Sequence, residues 1–175
     1  LTLPFGGLKI KDTPKGKRLP FSTGWIKTKL LADGAFDTLN DQARCIVLAC
    51  IDTGCRPSEI AGLMKHHIHL DTPIPYIEIL PEGRELKNKA SERRIPLVGV
   101  SLRAFKAYMP TAPKGEKAFP TYFGKDKLSV TVNKYMRENG LLETDGHTLY
   151  GLRHSFEDRM TAAEPAWPER MKCDV

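Results

Sequence analysis

The chain has 175 residues, with 27 Lys and Arg against 21 Asp and Glu, for a formal charge of +6. That length suits one domain whose core needs no staple, and the basic balance fits either an ordinary mildly basic soluble protein or, more pointedly, a polyanion partner such as DNA. No apolar run is long enough to cross a bilayer as a helix, and Cys45, Cys50, Cys55 and Cys173 form no CxxC pair, which argues against common zinc and thiol-redox motifs. Buried free thiols in a reducing compartment fit that usage. The opening residues do not read as a signal peptide, and the first is Leu1 rather than Met, which suggests a piece of something longer.

Residues 1–20 carry Lys9, Lys11, Lys15, Lys17 and Arg18 against Asp12, with Pro and Gly scattered among them. The segment reads as a basic linker or arm. Ser22-Thr23 offers an N-cap for a short amphipathic helix through Trp25, Ile26, Leu30 and Leu31, stopped by Asp33-Gly34. Residues 38–52 are dense enough in apolar side chains for a core helix. Gly54 fits the position just past its end, and Pro57 the first turn of the next. Strands are expected over 76–80, 84–88 and 93–97, joined by tight turns into a small antiparallel sheet. Helices follow over 102–108, 127–139 with Gly140 as the stop, and 149–163. The expected class is mainly α with a small three-stranded antiparallel β-sheet.

Two arginines stand out in this framework. Arg56 lies where one helix ends and another begins, in Thr53-Gly54-Cys55-Arg56-Pro57-Ser58-Glu59. Arg153 lies near the start of the last helix, followed by His154. Phosphoryl transfer builds negative charge on nonbridging oxygens, and two fixed guanidinium forks can stabilise it from two sides. A helix N-terminus adds free N–H groups and a favourable dipole. A leaving 5′-oxygen needs a proton, which a lysine on the hairpin between the arginines could supply. Each piece has a plainer account: an arginine at a helix start is usually a surface ion pair, and a basic hairpin is usually solvated.

The three stretches Thr53-Gly54-x-Arg56-x-Ser58-Glu59, Lys87-x-Lys89-x-x-x-Arg93-x-Ile95-Pro96-Leu97 and Leu152-Arg153-His154-Ser155-Phe156, in that order, resemble the tyrosine recombinase (phage integrase) catalytic domain over residues 21–163. The resemblance implies a DNA breaking-rejoining fold and metal-free, cofactor-free strand exchange through a 3′-phosphotyrosyl link. It implies Arg56 and Arg153 as the catalytic arginines, Glu59 as their acidic support, and Lys87 as the general acid, with Lys89 the alternative in a shifted register. Lys89, Arg93 and His154 are expected among the DNA contacts. The family often has His where this chain has Tyr150, and a phenol is a poor base near neutral pH; His147 is a distant substitute.

The same resemblance places a Gly-His pair and then the nucleophilic tyrosine downstream of the second arginine, and neither is present before Val175. Residues 21–175 are therefore expected to be a catalytic domain lacking its C-terminal helices, unable to form the covalent link alone. Implied partners are specific duplex DNA sites and further copies of the protein, a tetramer on DNA for the full protein. The implied location is cytoplasmic, bacterial or phage-derived. Three other readings stay open: a non-catalytic DNA-binding module of this fold, a type IB topoisomerase, and a protein for a small phosphorylated ligand.

Overall fold

The computed structural model describes residues 19–81 and 92–163. Most of the basic arm, the strand expected over 84–88, Lys87, Lys89 and Cys173 lie outside them.

Helix α2 (Asp41–Thr53) runs through the centre, because it is apolar on nearly every side. Ala43, Ile46, Val47, Ala49, Cys50 and Ile51 are all buried. Asn40 starts the helix, its Oδ1 accepting the Ala43 N–H at 3.0 Å, so the helix begins later than residue 38. Before it, α1 (Thr23–Trp25) is capped by Ser22 and continues as a π-helical turn over Ile26–Leu30.

Helix α3 (Pro57–Ala61) follows α2 at a sharp corner, with Pro57 in its first turn. Helices α4 (Gly99–Tyr108), α5 (Lys127–Glu138) and α6 (Gly151–Ala163) complete the helical layer. Helices α4 and α6 flank α2. Asp52, near the end of α2, accepts the Val100 N–H through Oδ2 at 2.9 Å and so satisfies an orphan donor of α4. On α5, Leu128, Val132 and Met136 are the buried stripe, one helical turn apart.

The sheet is three-stranded and antiparallel, in the order β1 (Ile68–His69), β2 (Tyr76–Ile79), β3 (Arg93–Pro96). β2 pairs directly with β3, Ile77 opposite Ile95 and Ile79 opposite Arg93. The third place is taken by Ile68–His69, a two-residue strand too short to leave a period in the sequence. Alternation sorts the two faces. Ile77 and Ile79 are buried, while Glu78 on the other face accepts from Arg94 at 2.8 Å and lies 3.2 Å from His69 Nε2.

The chain enters this core through a fixed point. His147 is buried; its Nδ1 accepts the Thr144 N–H at 3.1 Å, so Nε2–H donates to the Pro20 carbonyl, also at 3.1 Å. Glu143 takes the Ser22 N–H at 2.7 Å. His147 thus anchors the incoming segment. Among the described residues no helix is long and apolar enough to cross a membrane, and no group of three or more His, Cys, Asp or Glu is placed to hold a metal ion.

Candidate active site

The site forms at the α2–α3 corner. Gly54 ends α2 in the left-handed region, φ +61°. The ring of Phe156 from α6 lies 2.4 Å from where a Cβ at Gly54 would stand. Glycine is therefore required twice over, for the turn and for the close approach of α6.

Two residues on, Arg56 is the N-cap residue of α3, and Glu59 is the third residue of that helix. Glu59 reaches back: Oε2 accepts the Arg56 backbone N–H at 2.8 Å and Oε1 accepts Arg56 Nη1 at 2.9 Å. The same carboxylate receives a second guanidinium from β3, with Arg93 Nη2 at 2.9 Å from Oε2 and Nη1 at 3.4 Å from Oε1. Arg93 Nη2 also lies 4.0 Å from Cys55 Sγ. Glu59 is only 5% exposed. Burial by itself raises its carboxyl, but the hydrogen bonds from Arg93 and from the Arg56 backbone outweigh that and hold it below its ordinary value.

The start of α6 meets this corner at two points. Arg153 Nη1 donates to the Gly54 carbonyl, and Tyr150 lies beside Arg56 and favours its charged form. Six residues further along α6, Arg159 donates to the Ile51 carbonyl and lies 3.7 Å from Asp52. Two arginines of α6 thus satisfy carbonyls at the C-terminus of α2, the end where the helix dipole favours cations. Glu157 pairs with Arg153 Nη2 at 2.9 Å and with His154 Nδ1 at 3.1 Å. The His154 ring lies 5.4 Å from that of Tyr150.

Arg56, Glu59, Arg93, Tyr150, Arg153 and His154 are therefore gathered at one corner, while Lys87 and Lys89 lie outside the described residues. Arg56, Arg93 and Arg153 share the carboxylates of Glu59 and Glu157, which leaves a surplus of positive charge. Partly exposed guanidiniums held this way can present N–H forks to a phosphate without first having to be ordered. Glu157 was missed in the sequence, although Arg153-His154-x-x-Glu157 places it one helical turn beyond both cations.

The other phenols lie elsewhere. Tyr108 donates to the Ala118 carbonyl at 2.6 Å, Tyr122 accepts from Asn40 at 2.7 Å, Tyr135 donates to the Ala35 carbonyl at 3.1 Å, and Tyr76 stacks on His69.

A profile of the phage integrase family matches residues 29–167. The chain belongs to the phage integrase family. Among curated relatives of this integrase domain, the tyrosine recombinase XerC of Neisseria meningitidis serogroup B is 28% identical over 163 residues, covering 88% of this chain and 51% of that protein. The chain thus spans about half the length of the curated relatives it matches.

Solved structures of similar fold include the XerA recombinase, at TM-score 0.62 and 14% identity, covering 91% of this chain and 54% of that one. The Tn1549 transposon integrase in complex with circular intermediate DNA matches at TM-score 0.61 and 15% identity, over 86% and 56%. The XerH site-specific recombinase bound to its difH substrate matches at TM-score 0.59 and 18% identity, over 85% and 45%. At those identities the likeness is one of fold. The helical layer with its three-stranded antiparallel sheet is the tyrosine recombinase catalytic-domain fold.

Proposed function

We propose that this chain is the arginine-bearing part of a catalytic domain that cuts and rejoins duplex DNA at specific sites through a 3′-phosphotyrosyl intermediate. The observation that carries the reading is the docking of α6 on the α2–α3 corner, where Arg153 bonds the Gly54 carbonyl and Tyr150 lies beside Arg56. It brings the two arginines of separate sequence motifs to one place.

In the proposed reaction Arg56 and Arg153 hold the nonbridging oxygens of the scissile phosphate and stabilise the charge that grows there. Glu59 orients Arg56. Tyr150 fills the place of the family's histidine beside Arg56. Lys87, or Lys89, protonates the leaving 5′-oxygen. None of the remaining phenols is engaged at the corner, so the attacking tyrosine comes from outside these residues. Further copies of the protein on the same DNA complete the recombining assembly.

A duplex-binding titration across a salt series tests the DNA reading. Binding should weaken steeply as salt rises, because Lys and Arg displace condensed counterions. Tight binding of small phosphorylated compounds that survives high salt would replace DNA with a metabolite. A second reading, a DNA-binding module of this fold without chemistry, is favoured by the engagement of the four other phenols elsewhere. A suicide duplex separates it from catalysis: the proposal expects a covalent adduct from the longer protein and none from this chain alone.

A further inference from the structure

We propose that Arg93 is a positioning residue, acting through Glu59 to set the Arg56 guanidinium and to tie strand β3 to the first turn of α3. The inference rests on the reading of the corner as a phosphate site. Glu59 lies under two guanidiniums, one local and one from the sheet. Arg56 reaches it within the same helical turn, whereas Arg93 arrives from a residue separation of 34.

Both terminal nitrogens of Arg93 face both oxygens of Glu59, at 2.9 and 3.4 Å. A planar fork can hold a carboxylate in that way, and an ammonium cannot. Arg93 sits opposite the buried Ile79, on the core-facing side of the sheet. Its neighbour Arg94 projects from the other face and is 73% exposed. Alternation thus directs one of two adjacent arginines inward to Glu59 and the other outward to Glu78.

The consequence is a joint. Strand β3 directly follows the segment bearing Lys87, and Arg56 caps the start of α3. Without Arg93, Glu59 is free to draw the Arg56 guanidinium fully onto itself, away from a phosphate. Arg93 also offsets the Glu59 charge, so the corner stays positive where DNA would approach.

A double-mutant cycle on duplex affinity tests this, with anisotropy of a fluorescein-labelled mixed-sequence duplex as the readout. The proteins are the wild type, Arg93→Met, Glu59→Gln, the double variant and Arg93→Lys. Arg93→Met should weaken binding about tenfold, and should do little further once Glu59→Gln is in place. Arg93→Lys should fail to restore affinity although it keeps the charge.

Losses that multiply in the double variant, or full rescue by Arg93→Lys, would make Arg93 an ordinary DNA contact and overturn the proposal. Denaturation midpoints of the same proteins read the coupling without DNA. If the wild type shows no salt-dependent duplex binding, the phosphate-site reading fails; non-additive midpoints would then still support the Arg93–Glu59 joint, and additive ones would overturn it.

Discussion

Arg153 of α6 donates to the carbonyl of Gly54, with 2.5 Å between Nη1 and the oxygen. That contact seats one arginine on the backbone two residues before the other, and it sets what each loss should do. Arg153→Ala removes a charged hydrogen bond at a helix end as well as a phosphate donor. It should lower stability by about 1–2 kcal/mol while leaving a cooperative fold. Duplex affinity should fall about tenfold or more, with a salt slope shallower by roughly one phosphate contact. Thermal melts and titrations of one preparation check both, and an unchanged affinity would remove Arg153 from the site.

Gly54 is the second test. Gly54→Ala places a Cβ in the left-handed region and against Phe156 at 2.4 Å. The cost should be about 2–4 kcal/mol, from the backbone and the overlap together. Adding Phe156→Leu should recover the steric share and leave the backbone share. If Gly54→Ala melts like the wild type, α6 does not press on this corner.

Glu59 links the site to pH. Its carboxyl is held below the ordinary 4.5 by Arg93 and Arg56 despite burial. A depressed folded value means stability present above that ordinary value and lost as pH falls through the lower folded one. Glu59→Gln, which cannot ionise, should therefore be less stable by about 1–3 kcal/mol at neutral pH. The gap should narrow as pH falls below the ordinary 4.5 and close beneath the lower folded value. Melting temperatures of both proteins along a pH series read this, and a gap independent of pH would show that the charge of Glu59 is not what matters.

The cysteines give a test of the core. Cys45, Cys50 and Cys55 are free and buried. Burial drives all three thiols upward, that of Cys55 to about 11. A Cys173→Ser variant should hence label negligibly with a thiol reagent at pH 8 when native, and at all three cysteines in denaturant. Fast native labelling would mean that α2 is not the packed centre.

Much of the corner was legible beforehand because its signals are local. Gly54 at a helix end, Pro57 in a first turn and Ser22 as a cap each act within a few residues, and each is found there. The spacing of Arg56 and Glu59 likewise places both on one helical turn. The strand pairing was not legible in the same way. A two-residue strand such as Ile68–His69 has no periodicity of its own, and only its partner Tyr76–Ile77 makes it a strand.

The sequence by itself determined the family, the order of the motifs and the residue types able to grip a phosphate. Tertiary structure decided which side chains share a charge: that Glu59 serves Arg93 as well as Arg56, that Tyr150 lies beside Arg56, and that His147 holds the Pro20 carbonyl. The reason is one of range. Caps and turns are settled by neighbours along the chain, whereas a buried carboxylate takes whatever cation the packing of distant elements brings within hydrogen-bond distance.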